Sequence, residues 1–250
     1  MCITGDVRTP SQSGILIGTC KGECWISDDK MLRVTYSYPV GGCGVFGKIE
    51  NPEKAKEFFD KVFDDLKALD IHEFEFSAED TILQEQLLCL FQNREIEQEL
   101  EYSYQIYENP NKEVAVPGGY LIEPVTEHTL QKGYANEGML TNRLEEGWNS
   151  LDDFLEKSLS FIAVMDQEIV GIIFGSGRYE KYVPIDIEVL KEHRKRGVAK
   201  ALTSAFVKQC RNCDLVPHWD CVESNTGSIR LAESVGFKKI KERPFYWFGI

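Results

Sequence analysis

The sequence predicts an α+β protein in two parts, an N-terminal domain over residues 1–117 and a C-terminal domain over residues 118–250. Three observations support this prediction. Short segments with alternating polar and apolar residues are typical of strands. Between them, apolar residues recur at helical spacing. A stretch with Pro110, Pro117, Gly118 and Gly119 then interrupts both patterns and marks the boundary. With 250 residues, of which 42% are hydrophobic, the chain can bury an ample core.

The first part alternates strands and helices. Asn51 is predicted to cap a helix that has Pro52 in its first turn. That helix carries an apolar stripe at Ala55, Phe58, Phe59, Val62, Phe63, Leu66 and Leu69. Strands are predicted over 14–20, 23–29, 31–38, 72–77 and 101–107, a turn-rich patch over 39–47 and a second helix around 82–90. Strands arranged around an amphipathic helix also fit a degenerate copy of the second part.

The second part is more regular. Residues 160–166 and 168–177 predict two strands joined by a tight turn at Asp166 and Gln167. Residues 183–190 predict a strand with Ile185, Ile187 and Val189 on one face and Asp186 and Glu188 on the other. The remaining elements are strands at 119–125 and 217–223, helices at 126–135, 150–157, about 198–210 and 225–235, and a final hairpin of 237–242 with 245–250.

The formal net charge is −13, and it is unevenly distributed. Residues 1–117 carry 11 Lys and Arg against 22 Asp and Glu, whereas the remainder carries 17 against 19. This excess of negative charge argues against a nucleic-acid partner and suits a cationic ligand. The N-terminus lacks the pattern of a secretory signal, and no apolar run is long enough for a bilayer. We therefore expect a cytoplasmic protein with free cysteines and no membrane partner.

Eight cysteines raise the alternative of a zinc site. Cys20 and Cys24 have the spacing of metal ligands, and Cys210 and Cys213 together with His218 and Cys221 form a second candidate set. Against this, Cys210 and Cys213 fall in a predicted helix, where free cysteine is commonly a small buried hydrophobe. We expect no metal.

The stretch 192–202, EHRKRGVAKAL, places four basic side chains between the end of a strand and the start of a helix. The first turn of a helix presents unpaired backbone N–H groups and the positive end of the helix dipole. Gly197 and Ala199 allow a ligand to approach the backbone closely, and Arg194, Lys195 and Arg196 add full positive charges. This pattern predicts a pyrophosphate site. The alternative is a solvated basic helix start.

Residues 194–199 resemble the R-x-x-G-x-G/A signature of the GNAT N-acetyltransferase superfamily, which cradles the pyrophosphate of coenzyme A. Residues 225–237 are similar to its N-x-x-A-x-x-L-Y-x-x-x-G-F helix. With residues 151–164 the match resembles the two-domain subgroup that includes zwittermicin A resistance acetyltransferases. The first part resembles it only in outline, through residues 22–29 and 47–59. The resemblance implies a C-terminal GNAT fold, a mixed, splayed sheet flanked by helices, with acetyl-CoA as cosubstrate.

The resemblance also implies roles for individual residues. Val189 and Leu190 lie where strand-end amides meet the pantetheine arm and the thioester carbonyl. The pyrophosphate would be bound by Arg194, Lys195, Arg196, Gly197, Val198, Ala199 and Lys200. Asn225 and Ser228 would face the cofactor; the alternatives are a helix N-cap for Asn225 and packing in the first turn for Ser228.

Acetylation of an amine needs a base, because alkylamines are mostly protonated at neutral pH. Glu188 is the first candidate and Asp186 the second; alternatively both line a sheet face against solvent or an arginine. The superfamily's frequent tyrosine acid would fall at Ala232, which leaves Tyr246, Cys221, a water molecule or no acid at all. Asp220 is a candidate for binding a cationic acceptor, and Trp219 is expected to fill the core.

The sequence thus predicts an enzyme that transfers an acetyl group from acetyl-CoA to a primary amine of a small acceptor, through direct attack on the thioester. The alternative is a module that binds acyl-CoA without turnover and acts through a partner, which the alanine at position 232 favours. The first part could line the acceptor pocket, form a homodimer or only pack against the second part.

Overall fold

The computed structural model describes residues 5–78, 80–106 and 114–250. It has one mixed sheet of eleven strands in the order β1-β2-β3-β4-β11-β5-β10-β9-β8-β7-β6. The strands are β1 Glu23–Ile26, β2 Leu32–Ser37, β3 Gly42–Gly47, β4 Glu73–Ser77, β5 Glu97–Gln105, β6 Leu121–Pro124, β7 Ser160–Met165, β8 Glu168–Gly175, β9 Tyr182–Val189, β10 Val216–Val222 and β11 Lys238–Gly249. The helices are α1 Pro10–Leu16, α2 Pro52–Ala68, α3 Thr81–Leu90, α4 Glu127–Leu130, α5 Gly138–Gly147, α6 Leu151–Lys157, α7 Val198–Asn212 and α8 Thr226–Val235. The α+β class predicted from the sequence is confirmed.

The two parts of the chain repeat one order of elements. In the first part β1, β2 and β3 pair antiparallel, α2 follows, and β4 then pairs parallel to β3. In the second part β7, β8 and β9 pair antiparallel, α7 follows, and β10 pairs parallel to β9. A further helix and strand, α3–β5 and α8–β11, end each series. This repetition is the arrangement expected of a degenerate copy.

The last strands of the two parts are exchanged. β5, from the first part, pairs antiparallel with β10, whereas β11, from the second part, pairs antiparallel with β4. β5 and β11 also pair with each other and join the two series into one sheet. Each hydrophobic core includes side chains of the exchanged strand. Tyr246 and Phe248 of β11 pack among the phenylalanines of the first part, and Tyr104 of β5 packs with residues of β10 and α8. Each part therefore needs a strand of the other to complete its sheet.

The helices that frame the second part pack on opposite faces of the sheet. One core cluster joins α5 and α6 to one face of β7 and β8, and includes Trp148 and Phe154. Another joins α7 to the opposite face, with Val189, Leu202 and Phe206 buried. The predicted faces of β9 are confirmed, because its apolar side chains pack towards α7 and α8.

Several predictions for individual segments are wrong. The helix predicted at 126–135 is only the short α4, Glu127–Leu130. The segment 14–20 is the end of α1 and the turn after it, because Pro10 starts a helix there. The patch 39–47 contains the buried strand β3, whose glycines serve close packing: a Cβ on Gly44 would lie 2.7 Å from the Cβ of Gln12 on α1. The final hairpin is one long strand, β11, which passes from β5 to β4 with an irregularity between Lys239 and Lys241.

The tight turn at Asp166 and Gln167 is confirmed, and both residues have positive φ, 50° and 64°. The predicted boundary near residue 117 follows residues 107–113, which lie outside the described part, and it stays a prediction. Within the described ranges, no helix is both long and apolar enough to cross a membrane.

Candidate active site

The candidate site is an opening between two parallel strands. β9 and β10 pair only over Tyr182–Pro184 with Val216–His218. Beyond this point they share no further paired residues, and a cleft of about 410 Å³ lies between them. Its walls include Asp186 and Ile187 of β9 and Asp220 and Cys221 of β10. The splay implied by the sequence resemblance is therefore present.

The basic loop leads from β9 into the start of α7. Lys191–His193 form one turn of 3-10 helix, and Gly197 precedes α7 with φ +86°, a left-handed conformation that favours glycine. A Cβ at Gly197 would lie 3.4 Å from Cγ of Pro117. Gly197 thus permits a tight entry into the helix.

The first turn of α7 has no side-chain cap. In contrast, Asn51 caps α2 and Asn225 caps α8. The first intrahelical bond comes from the Ala201 amide to the Gly197 carbonyl, so the amides of Val198, Ala199 and Lys200 precede the helical ladder. These three N–H groups and the helix dipole can bind an anion such as pyrophosphate.

The charged residues of the loop are exposed. Arg194 Nε donates to the Val189 carbonyl at 2.8 Å, which ties the loop to the end of β9. Arg196 Nη1 lies 3.5 Å from the Tyr120 hydroxyl. Lys195 has φ +60°, which turns the backbone immediately before Gly197. The predicted pyrophosphate residues therefore come together around the start of one helix.

The strand-end amides of β9 differ in their availability. The Leu190 amide donates to the Val170 carbonyl of β8 at 2.9 Å, so it is already used. In an antiparallel ladder successive residues point their N–H groups to opposite sides. The Val189 amide is therefore directed away from β8, towards the opening, and of the two predicted residues it is the one able to donate to a ligand.

Both predicted bases of β9 contact one arginine that the sequence did not indicate. Arg143 of α5 donates from Nη2 to Glu188 Oε2 at 3.1 Å, and its Nη1 lies 3.6 Å from Asp186 Oδ2. Burial raises the pKa of Asp186 although Arg143 opposes that shift. Asp186 lines the cleft, whereas Glu188 is hydrogen-bonded to the guanidinium. Of the two predicted bases, Asp186, the second candidate from the sequence, is the one that lines the cleft.

Asp220 belongs to a buried polar network across three strands. His218 Nε2 donates to Asp220 Oδ1 at 3.1 Å, and Ser103 Oγ donates to the same oxygen at 2.5 Å. Arg243 Nη2 lies 3.6 Å from it and 2.5 Å from Glu101 Oε2. Burial alone would raise the pKa of Asp220, but His218 and Arg243 lower it to about 2. Asp220 is therefore ionised at neutral pH.

Asn225 and Ser228 line the cleft and also serve the local structure. Asn225 Oδ1 accepts from the Ser228 amide at 3.0 Å and caps α8. Ser228 Oγ accepts from the indole N–H of Trp219 at 2.8 Å. Trp219 is buried against Phe237, as predicted for a residue that fills the core.

Of the three positions considered for a general acid, Ala232, Tyr246 and Cys221, one lines the cleft. Ala232 of α8 is buried in the core, where it packs with residues of β5 and β10. Tyr246 lies in the core of the first part, where its hydroxyl accepts from Gln84, so its proposal as an acid is wrong. Cys221 lines the cleft, and burial raises its pKa to about 11.

No three His, Cys, Asp or Glu side chains of the described residues are grouped as a metal site would require. Cys210 is buried beneath the sheet, whereas Cys213 is exposed. His218 is hydrogen-bonded to Asp220 and Gln105.

The sequence missed residues that lie far away along the chain. Glu75 and Glu101, both from the first part, line the cleft, and Arg143 of α5 contacts Asp186 on its wall. Glu75 and Glu101 are acidic residues in segments where polar and apolar residues alternate, and such residues commonly face solvent. The strand exchange that brings β5 and β11 to the cleft leaves no local sequence signal.

Comparisons with known proteins agree with this geometry. A family model described as GNAT acetyltransferase matches residues 9–246. A curated protein of Bacillus subtilis (strain 168), described as the uncharacterized N-acetyltransferase YdfB, is 30% identical over 152 residues, 59% of this chain and 55% of that protein. The matched region thus spans about half the length of that relative.

Solved structures show the same fold at low identity. A GCN5-related N-acetyltransferase-like protein from Streptococcus suis 89/1591 has a TM-score of 0.67 at 14% identity, covering 92% of this chain and 88% of that one. A tandem GNAT protein from the clavulanic acid biosynthesis pathway has a TM-score of 0.61 at 12% identity, covering 98% and 90%. Together with the family match over nearly the whole chain, these findings establish that the chain belongs to the GNAT acetyltransferase family.

Proposed function

We propose that this GNAT acetyltransferase transfers the acetyl group of acetyl-CoA to a primary amine of a small, positively charged acceptor. The observation that carries the proposal is the opening between β9 and β10, which ends beside a helix start without a side-chain cap. Such a helix start suits a pyrophosphate, and the opening suits an extended arm that ends in a thioester.

In this proposal the amides of Val198, Ala199 and Lys200, with Gly197, hold the pyrophosphate. Arg194, Lys195 and Arg196 supply positive charge around it. Val189 contacts the pantetheine arm, and Leu190, with its amide used in the sheet, contributes only its side chain. Asn225 and Ser228 line the same cleft as the arm. The fit rests on the uncapped helix start and on the left-handed Gly197.

Acetyl-CoA supplies the activated acetyl thioester. Asp186 accepts a proton from the ammonium group of the acceptor, which frees the neutral amine for attack. The second proton, lost as the C–N bond forms and the C–S bond breaks, passes to the solvent. Glu188, next along the same face of β9, is the alternative base. The Val189 amide donates to the oxygen on which negative charge develops.

The leaving thiol needs no acid in this proposal. An ordinary thiol has a pKa of about 8.5, so it can leave as a thiolate near neutral pH. Cys221, with a pKa of about 11, is a weaker acid than the thiol that would form if it gave its proton to the leaving thiolate. Proton transfer from Cys221 is therefore unfavourable, and the leaving group departs as a thiolate that equilibrates with the bulk solvent after release.

The acceptor is proposed to be a small molecule because the cleft is bounded on both sides by strands. The acidic surface argues against nucleic acid, and we propose a cytoplasmic protein without a membrane partner. A homodimer stays an expectation from the sequence.

Calorimetric titration with acetyl-CoA, followed by assays of CoA release with amines, tests the proposal. We expect binding at micromolar strength and amine-dependent release. Absence of binding to the wild-type protein would overturn the proposal. Binding without release for any amine would instead support the second candidate, an acyl-CoA-binding module, which the alanine at position 232 favours.

A further inference from the structure

We infer that Asp220 determines acceptor specificity by binding a second positive charge, so that the acceptor carries at least two amino groups. The inference rests on the proposed function, and it concerns the wall of the cleft opposite Asp186.

Asp186 and Asp220 occupy matching positions on the two strands that diverge. Pro184 of β9 and His218 of β10 are the last paired residues, and each aspartate follows two residues later. Residues two apart on a strand share one face of the sheet. Both carboxylates therefore project from the same face, on opposite sides of the opening. Paired strands lie about 4.8 Å apart, and here the strands diverge, so each carboxylate can receive an ammonium group of its own.

Asp220 has one oxygen fixed and one oxygen available. The contacts from His218, Ser103 and Arg243 all go to Oδ1. Within the described residues Oδ2 has no hydrogen-bond partner, and 21% of the side chain is exposed where Asp220 lines the cleft. A carboxylate held rigidly through one oxygen presents the other to a donor at little entropic cost. An ammonium N–H is a donor of this kind.

The charge of the cleft favours the same class of acceptor. Four carboxylates line it, those of Glu75, Glu101, Asp186 and Asp220. Arg143 approaches Asp186, and Arg243 approaches Glu101 and Asp220, but neither arginine is among the residues that line the cleft. An acceptor with a carboxylate of its own would be repelled, whereas a diamine would be attracted at both ends.

Asp220 is thus assigned a role distinct from that of Asp186. Asp186 is half-buried beside the opening and takes the proton, while Asp220 stays ionised and anchors the far end of the acceptor. Environments that treat two carboxylates differently commonly separate such roles.

The test compares amines of equal length in the assay of CoA release, with the wild-type protein and saturating acetyl-CoA. Putrescine and cadaverine are matched with n-butylamine and n-pentylamine, and γ-aminobutyrate adds a negative charge. We expect kcat/KM for each diamine to exceed that of its monoamine about tenfold or more, with γ-aminobutyrate lowest. In Asp220→Asn the ratio of diamine to monoamine should fall towards one, mainly through KM, and Asp220→Glu should restore part of it.

Acetyl-CoA affinity and the unfolding midpoint verify that each variant is folded. The comparison of amines with the wild-type protein tests the inference even if Asp220→Asn does not fold. Equal use of diamines and monoamines, equal use of γ-aminobutyrate, or acetyl-CoA binding without acetylation of either diamine would overturn the inference. A wild-type protein that binds no acetyl-CoA would overturn the proposed function itself, a separate outcome seen in the titration.

Discussion

Glu101 and Arg243 form a buried ion pair between the two exchanged strands. Glu101 Oε2 lies 2.5 Å from Arg243 Nη2, and their side chains are 10% and 7% exposed. Glu101 belongs to β5 in the first part of the chain, and Arg243 to β11 at its end. Because Arg243 also approaches Asp220, the pair links the exchange of strands to the wall of the cleft.

Glu101→Gln is expected to destabilise the protein by about 3 kcal/mol, because it leaves a buried guanidinium with less compensating charge. Glu97→Gln, at an exposed position on the same strand, should change stability by less than about 0.5 kcal/mol. Urea unfolding of both variants measures the difference. Equal stability of Glu101→Gln and Glu97→Gln would contradict this view of the pair.

Gly197→Glu should abolish acetyl-CoA binding, because it places bulk and negative charge where the pyrophosphate is proposed to lie. Gly197→Ala adds a Cβ without a charge, so it measures the effect of backbone strain alone. The φ of +86° disfavours any residue with a Cβ, so alanine should cost about 1 kcal/mol of stability and weaken binding only modestly. Calorimetry with acetyl-CoA and a thermal unfolding curve provide both quantities. Binding by the glutamate variant within a few-fold of the alanine variant would exclude this loop as the pyrophosphate site.

The pH dependence of kcat/KM should report Asp186. Burial raises the pKa of this group, while Arg143 of α5 partly offsets the shift; Glu146 of α5 and Glu188 of β9 are the other charges close to it. A base acts when deprotonated, so activity is lost as the pH falls through its pKa. Arg143→Met removes the stabilising charge and raises that pKa further. The acidic limb of the profile should then move to higher pH.

Arg143→Lys is the matched control, because it keeps a positive charge, and its acidic limb should stay closer to that of the wild type. Asp186→Asn should lower kcat by at least about a hundredfold if Asp186 is the base. Normal turnover in Asp186→Asn would transfer the role to Glu188, which Arg143 also contacts, or to water.

Cys221→Ala should keep kcat within a few-fold of the wild type. The thiol lines the cleft, but its pKa of about 11 makes it a poor proton donor to a thiolate whose thiol form has a pKa of about 8.5. Steady-state CoA release at saturating acetyl-CoA measures the effect. A loss of a hundredfold, with acetyl-CoA affinity retained, would mean that Cys221 does act as the acid.

The elements that the sequence predicts well are those with a local signal. The stripe of α2 with its cap at Asn51, the turn at Asp166 and Gln167, and the basic loop before α7 each depend on neighbouring residues. The motif at 194–199 therefore predicts the strand end and the uncapped helix start that we propose to bind pyrophosphate.

The remaining features depend on contacts between distant residues. Gly44 reads as a turn residue, yet it belongs to a buried strand because Gln12 of α1 packs directly on it. Arg143 lies 45 residues from Glu188, its partner. Leu140 and Leu144 of α5, buried and four residues apart, gave a helical signal too short to stand out. No local pattern shows which strand completes which half of a sheet.

The exchange of β5 and β11 predicts how the two parts behave when separated. Residues 118–250 alone lack β5, so one edge of β10 would lose its partner strand and the buried Arg243 would lose Glu101. We expect this fragment to aggregate, because an unpaired central strand is an open template for association. Co-expressed with a tagged fragment 1–117, it should be recovered in a one-to-one complex that binds acetyl-CoA. The matched control is a tagged fragment 1–96, which ends before β5 and should recover much less of it. If residues 118–250 instead form a monomer that unfolds cooperatively and binds acetyl-CoA, β5 is dispensable and the second part is an independent domain.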